Sequence, residues 1–274
     1  MLKCNKCCCV TQYSYVLCES RILDQLEEGR VVVLDTIPST NQYILDNFKH
    51  VKLGDVYVTD YQTQGRGRYG KSWITPNKQS LCLSVYWKLY RNLFSIVELS
   101  LIVSFTVADV LKKMGVPKIK IKWPNDLYVG DKKLAGILIE VITNSKDVFH
   151  LAIGIGINMS ICIRTKLKIK MSKNWIDLKD IGVNLDHNVL VATLVKKLRK
   201  TLSRFNDNQN ILRMNYWQSL NYLYGKSIEL FSNNNIDYGT GTVLGISSNG
   251  ALLVVDAVGK VCHFRNENLS IRVL

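Results

Sequence analysis

The sequence has few prolines, few acidic residues and no long hydrophobic segment. Its 4 prolines, 9% aromatic and 47% hydrophobic residues exclude a disordered or fibrous chain. The apolar run LSLIVSFTVADVL, from Leu99, is shorter than the roughly 18 residues that a membrane span requires, and it contains Asp109. Cys4, Lys6 and Thr11 interrupt the N-terminus, so no signal-peptide core is present. We therefore expect a soluble, cytoplasmic protein with no membrane partner.

Acidic residues are outnumbered, since 22 Asp and Glu face 36 Lys and Arg and give a formal net charge of +14. Such a charge suits nucleic acid, an anionic small substrate or an acidic partner protein. The lysines are spread along the chain. Two lysine-rich stretches, 166–173 and 196–200, are interpreted as a solvated strand face and the polar face of a helix. Charge alone does not decide among these partners.

Four of the 8 cysteines crowd into the N-terminal segment CNKCCC, 4–9. No second Cys or His pair follows at the spacing of a zinc site, so we interpret the cluster as an inessential terminus and predict no protein metal site. The remaining Cys18, Cys82, Cys162 and Cys262 have apolar neighbours and are predicted to be reduced core residues.

The hydrophobic pattern divides the chain into parts of different character. β-branched runs such as VVVLDTI, 31–37, predict buried strands, and apolar-faced helices are predicted over 98–114 and 188–205. From Lys226 onwards, five short strand-like segments predict a small β-barrel. The predicted parts are a short N-terminal segment with at most one short helix (1–29), a mixed α/β domain (30–222) and a C-terminal β-barrel (223–274).

The segment GRGRYG, 65–70, matches the dinucleotide-binding pattern G-x-G-x-x-G. A Rossmann turn opens directly into a helix, whereas KSWITPNKQS and then a strand follow here, so we reject a nicotinamide site. Arg66, Arg68 and Lys71 offer cations to carboxylate or phosphate oxygens, and the glycines let backbone N–H groups approach them. The alternative is a solvated basic loop.

Two further segments carry chemistry. In 122–140, Asn125 and Asp126 lie at a strand end, and Lys133 begins a strand that turns apolar at once, where a lysine is costly unless it meets an anion. Gly136 leaves room close to that backbone. In GIGIN, 154–158, alternate glycines strip one strand face, which suits a flat ring or close backbone packing. A surface lysine and tight strand packing are the alternatives.

Five segments together resemble biotin protein ligases, over roughly 30–274. They are STNQY (39–43), YQTQGRGRYGKSW (61–73), KWPND (122–126), KLAGILIE (133–140) and GIGIN (154–158). The resemblance implies an α/β catalytic domain shared with lipoate ligases and a C-terminal Src-homology-3-like barrel. It also implies ATP-dependent formation of biotinyl-5′-adenylate and transfer of biotin to a lysine of the biotin carboxyl carrier protein of acetyl-CoA carboxylase.

The resemblance implies a set of site residues. Those expected to contact biotin or the adenylate are Ser39, Thr40, Asn41, Gln62, Arg66, Gly67, Arg68, Trp73, Asn125, Lys133, Gly136 and Asn158. The expected catalytic residues are Arg66, Arg68 and Lys133, which supply charge, and Asp126, which would orient or deprotonate the incoming amine. Mg²⁺ is expected with ATP, because two anions must be brought together.

By the same resemblance, the ring head of biotin lies near 39–41 and Gln62, where hydroxyl and amide groups can pair with the ureido group. The loop 66–68 resembles one that folds over biotin and its adenylate. Lys133 corresponds to the side chain at the carboxylate of biotin. Trp73 resembles a lid aromatic, and Asn125 and Asn158 resemble polar neighbours of the nucleotide.

One departure concerns DNA. Repressor-type relatives carry an N-terminal winged helix, whereas only about thirty residues precede VVVLDTI here, so we expect no specific nucleic-acid partner. The alternatives are a lipoate or octanoate ligase or transferase of the same fold, and a non-catalytic DNA-binding regulator of the biotin operon. The oligomeric state is not decided by the sequence, and a homodimer is left open.

Overall fold

A computed structural model describes residues 16–76, 78–90, 95–145, 148–161, 174–207, 214–232, 237–265 and 269–274. The CNKCCC cluster, Cys162 and the lysine-rich stretch 166–173 lie outside the described residues. Among the described residues, no helix is long and apolar enough to cross a membrane.

Seven strands form one mixed sheet, in the order β1-β2-β3-β7-β6-β5-β4. They are β1 (Val31–Val33), β2 (Val56–Thr59), β3 (Ser80–Leu89), β4 (Ile119–Lys122), β5 (Asp126–Val129), β6 (Lys132–Ser145) and β7 (Val148–Asn158). Only the β1–β2 pair within this sheet is parallel. Strand β1 is shorter than the predicted strand 31–37, because Ile37 forms only an isolated bridge to Gln62.

The α-helices of the described residues are α1 (Glu19–Leu23), α2 (Thr40–Asn47), α3 (Ser95–Lys113), α4 (His187–Asn206) and α5 (Met214–Leu220). Short 3₁₀ turns occur at Arg68–Gly70 and Lys179–Ile181. Helices α3 and α4 pack on one face of the sheet, because their apolar stripes bury residues at helical spacing, such as Leu190, Leu194 and Leu198 in α4. Gly115, with a φ of 97°, follows the end of α3.

One prediction about α4 is wrong. Arg199 was expected on the solvated polar face, but it is half-buried and donates to the carbonyl oxygens of Glu28, Arg30 and Gly54. Its guanidinium thus ties α4 to the segments that lead into β1 and β2. Burial lowers the pKa of Arg199, and the three carbonyl oxygens accept hydrogen bonds from its guanidinium.

Five antiparallel strands form the second sheet, in the order β11-β10-β9-β8-β12. They are β8 (Ser227–Ser232), β9 (Asp237–Ile246), β10 (Leu252–Val255), β11 (Val261–Phe264) and β12 (Leu269–Val273). The predicted mixed α/β sheet followed by five short C-terminal strands is confirmed. The boundaries predicted at 29/30 and 222/223 stay predictions.

The cysteine prediction is partly wrong. Cys82 is buried, but Cys18 and Cys262 are partly exposed free thiols. Cys18 directly precedes α1, and Cys262 lies within β11, an end strand of the second sheet, so their apolar sequence neighbours did not indicate full burial.

The two sheets meet at Trp123, directly after β4. Its indole Nε1–H donates to the carbonyl oxygen of Gly250 at 3.0 Å, and the ring is buried. Gly250 in turn packs on Glu98 and Leu101 of α3, where a Cβ atom would lie 3.1 Å from Leu101 Cδ1. The second sheet is therefore fixed against α3 and the end of β4.

Replacing Trp123 with Phe tests this junction. We expect Trp123→Phe to lower the free energy of unfolding by about 1–3 kcal/mol more than Trp217→Phe, because only Trp123 loses a buried hydrogen bond. Trp217 is equally buried, and its Nε1 has no partner among the described residues. Urea unfolding midpoints measure the difference, and equal losses would contradict it.

Candidate functional site

A cavity of about 300 Å³ lies on the sheet face opposite α3. Its floor lies on three adjacent strands, β3, β7 and β6, where small residues predominate on this face. One row joins Cys82, Gly156 and Gly136, and the next joins Ser84, Gly154 and Leu138. Because side chains alternate along strands, the isoleucines between these glycines face the core instead.

The protein fills the space above both glycines with its own side chains. A Cβ atom on Gly154 would lie 2.5 Å from Asn41 Oδ1, and one on Gly156 would lie 2.5 Å from Trp73 Cε2. The flat side chain that lies on this bare face is the indole of Trp73. Tight packing accounts for the glycines as well as ligand space does.

A buried polar wall rises from the start of α2. Ser39 caps the helix by accepting from Gln42 N–H, and the backbone N–H of Thr40 donates to Gln62 Oε1 at 2.8 Å. Ser84 Oγ lies 2.6 Å from Asn41 Oδ1 and 2.7 Å from Thr40 Oγ1. The four residues predicted near a ring head therefore stand together.

The glycine- and arginine-rich loop folds back on itself over one side of the cavity. Trp73 N–H donates to Gly65 O at 2.9 Å, and Gly67 N–H donates to Lys71 O at 2.7 Å. Gly65 lies so close to the Trp73 carbonyl that a Cβ atom would sit 2.3 Å from its oxygen. These contacts explain why glycine stands at two positions that the dinucleotide pattern assigned to phosphate binding.

Both arginines of the loop are held by polar acceptors. Arg66 donates to Gln42 and Glu140, and Arg68 donates to Asn125 Oδ1 at 2.9 Å. Asn125 is fixed in turn, because its Nδ2 donates to Ile137 O at 2.6 Å. The loop is thus not merely a solvated basic connector.

Lys133 lies inside the cavity rather than on the surface. Its Nζ pairs with Asp126 Oδ1 at 2.7 Å and lies 5.4 Å from the centre of the Trp73 ring. A Cβ atom on Gly136 would lie 3.1 Å from Nζ and 3.3 Å from Asp126 Oδ1. Gly136 therefore leaves the room that this ion pair occupies, as the sequence predicted.

All but one of the predicted site residues line the cavity. The exception is Asn158, which is fully buried behind Lys133. Its Nδ2 donates to the carbonyl oxygens of Lys133 and Ile176, at 3.3 and 3.0 Å. Asn158 therefore supports the Lys133 backbone, and its contact with a nucleotide stays a prediction.

Comparisons with known proteins agree with this site. The model of the Biotin/lipoate A/B protein ligase family matches residues 33–158. The chain is 38% identical over 234 residues to the bifunctional ligase/repressor BirA of Escherichia coli (strain K12), covering 85% of this chain and 72% of that protein. The chain belongs to the biotin protein ligase family. The family and the ligase class predicted from the sequence are thereby confirmed.

A solved structure is similar to this chain over most of its length. The biotin protein ligase from Aquifex aeolicus, in complex with biotin and ATP, aligns with a TM-score of 0.73 at 26% identity. The alignment covers 90% of this chain and 100% of that chain. The predicted fold class, including the small C-terminal unit, is confirmed by this likeness.

The ligase site also contains residues that sequence reasoning missed. Trp175 stacks on Trp73 with ring centres 5.8 Å apart, and Lys133 N–H donates to Asn174 O at 2.7 Å. Glu140 is the last residue of the recognised segment 133–140, and the resemblance implies no role for it. Ser84 lies in an ordinary strand pattern. No local signal marks Ser84 or Trp175, because their roles arise from contacts between distant parts of the chain. For Glu140 the one signal is its place in the recognised segment 133–140.

Burial and charge shape the ionisation of groups around the cavity. Burial raises the pKa of Cys82 to about 12, so its thiol stays neutral at the cavity floor. Burial also lowers the pKa of Lys122, and the neighbouring Lys133, Lys226 and Lys71 lower it further, whereas Asp126 opposes them. The surroundings of Lys122 are therefore already rich in positive charge.

Replacing Gly156 with Ala tests the packing of the cavity floor. We expect the added methyl group to displace the Trp73 indole and shift its fluorescence emission, because the two would overlap. The Trp73→Phe background isolates this signal from the other tryptophans. Gly154→Ala is the control, since its methyl group meets Asn41 instead, and identical spectra for wild type and Gly156→Ala would contradict the packing.

Proposed function

We propose that this protein forms biotinyl-5′-adenylate from biotin and ATP and transfers biotin to a lysine of the biotin carboxyl carrier protein of acetyl-CoA carboxylase. The observation that carries the proposal is the gathering of the predicted site residues, Asn158 excepted, around one cavity. The family relationship and the biotin and ATP bound by the Aquifex aeolicus relative support the same substrates.

The charge of the cavity suits the first step. In that step a carboxylate oxygen of biotin attacks the α-phosphorus of ATP. A new O–P bond forms, and the bond from the α-phosphorus to the leaving pyrophosphate breaks. Among the described lining residues, Arg66, Arg68, Lys71 and Lys133 are cationic, whereas Asp126 alone is anionic. This excess of positive charge offsets the repulsion between the two reacting anions.

The polar wall and Lys133 bind opposite ends of biotin. The hydroxyl and amide groups of Thr40, Asn41 and Gln62 can pair with the ureido group of the ring head. Lys133 then meets the carboxylate, where it acts as an electrostatic clamp and not as a nucleophile.

In the second step the carrier lysine attacks the carbonyl carbon of the mixed anhydride. An amide bond forms, AMP leaves, and the amine loses a proton. Asp126 lies beside Lys133 and is the residue we assign to orienting or deprotonating the amine, because its carboxylate can accept an N–H hydrogen bond.

Mg²⁺ fits this site as an ion that arrives with ATP. It usually binds proteins through one or two carboxylates together with substrate phosphates, and Asp126 provides one carboxylate at the cavity. When bound, Mg²⁺ neutralises phosphate charge. Among the described residues, no cluster of three or more His, Cys, Asp or Glu side chains could hold a metal by itself.

Other properties stay predictions from the sequence. They are the cytoplasmic location, the absence of a specific DNA partner and the roles of individual site residues. A homodimer also stays open. The cationic stretch 196–200 lies on α4, whose apolar face is buried in the core, and this placement supports an ordinary structural helix.

Labelled biotin tests the function directly. The protein is incubated with radiolabelled biotin, ATP and a purified biotin carboxyl carrier domain, and the label is followed on the carrier. We expect ATP-dependent labelling that is lost when the acceptor lysine is replaced. Pyrophosphate release with lipoate or octanoate, but not with biotin, would instead identify a lipoate-type enzyme.

The role of Lys133 can be separated from folding. We expect Lys133→Ala to slow adenylate formation by about 10²-fold or more, because one preorganised charge at the reacting carboxylate is lost. Lys132→Ala is the matched control, since Lys132 is the exposed neighbour on the same strand. Pyrophosphate release measures the rate, and a normal rate in folded Lys133→Ala would contradict a role of Lys133 at the reacting carboxylate.

A further inference from the structure

Glu140 joins the two halves of the cavity, although it does not itself line it. One carboxylate oxygen, Oε2, accepts from Asn41 Nδ2 at 2.8 Å, and the other, Oε1, accepts from Arg66 Nη2. Asn41 belongs to the polar wall, whereas Arg66 belongs to the glycine- and arginine-rich loop. A single carboxylate therefore contacts both.

The sheet register places Glu140 for this task. On β6 it points to the same face as Leu138 and Gly136, one row beyond the glycine on which Asn41 rests. The Asn41 amide also donates to Leu138 O at 3.2 Å, and Ser84 fixes its oxygen. With Asn41 held on three sides, the carboxylate that binds it has a defined orientation.

Glu140 provides the charged acceptor that Arg66 contacts. The guanidinium has two described side-chain acceptors, Gln42 and Glu140, and only Glu140 is charged. The Glu140 side chain is 23% exposed, so its attraction for Arg66 is only partly screened by water. Without the carboxylate, the acceptor that remains among these two is the neutral amide of the half-buried Gln42 on α2.

We propose that Glu140 is a positioning residue that holds the Arg66 guanidinium, and with it the loop, against the polar wall. This inference rests on the proposed function and names the group through which Arg66 is held ready for the adenylate. When the ring head of biotin binds at the polar wall, its effect on Asn41 is passed through Glu140 to Arg66. Binding at the wall and ordering of the loop are thereby coupled.

The test compares charge with shape at position 140. Glu140→Gln keeps the size but loses the charge, and its amide N–H₂ must face a donor on Asn41 or on Arg66. Glu140→Asp keeps the charge. We expect Glu140→Gln to speed dissociation of the adenylate by about fivefold or more, which is the lower range of coupling between two sites. We expect Glu140→Asp to release the adenylate at a rate close to that of the wild type.

The same change in an Arg66→Ala background decides whether Glu140 acts through Arg66. There we expect Glu140→Gln to leave the dissociation rate unchanged, because the group it positions is gone. An undiminished effect in that background, or wild-type retention in Glu140→Gln, would overturn the proposal. The control is Glu229→Gln, which breaks a comparable pair with Arg272 in the second sheet and should change nothing.

A ligand-free measurement separates this inference from the function it rests on. Without any substrate, limited trypsin digestion followed by mass spectrometry should show faster cleavage after Arg66 in Glu140→Gln than in wild type or Glu229→Gln. Equal cleavage would contradict the anchoring of Arg66. Faster cleavage in a protein that makes no adenylate would instead uphold the anchor and reject the proposed function.

Discussion

Two rows of mostly small residues across β3, β7 and β6 leave room above the middle of the main sheet, which the side chains of Asn41 and Trp73 partly occupy. Because strand side chains alternate, the same residues that empty this face leave isoleucines to fill the other face against α3. Asn41 and Trp73 can approach the sheet only at Gly154 and Gly156. The polar wall, the position of the Trp73 indole and the cavity between them all depend on that missing side-chain volume.

Three of the four cations that line the described cavity have a polar side-chain partner. Arg66 contacts Glu140, Arg68 contacts Asn125, and Lys133 pairs with Asp126. Such partners hold flexible side chains in few conformations. An anionic substrate can then draw on cations that are already oriented.

Backbone contacts fix the lysine as firmly as side-chain contacts do. The N–H of Lys133 donates to Asn174 O and its carbonyl accepts from Ile176 N–H, so Trp175 between them is brought onto Trp73. The buried Asn158 supports the same carbonyl from the other side. One short stretch of β6 thus connects the charged centre with the stacked indoles.

The sequence by itself determined the element types and the chemistry of the recognised segments, since alternation, helical spacing and glycine positions are local properties of the chain. It also predicted the room left by Gly136, whereas the ion-binding role of the loop stays a prediction. Only the tertiary structure decided that Glu140, Ser84 and Trp175 belong to the site and that Arg199 is half-buried. Those assignments depend on contacts between residues far apart in the chain, which no local pattern records.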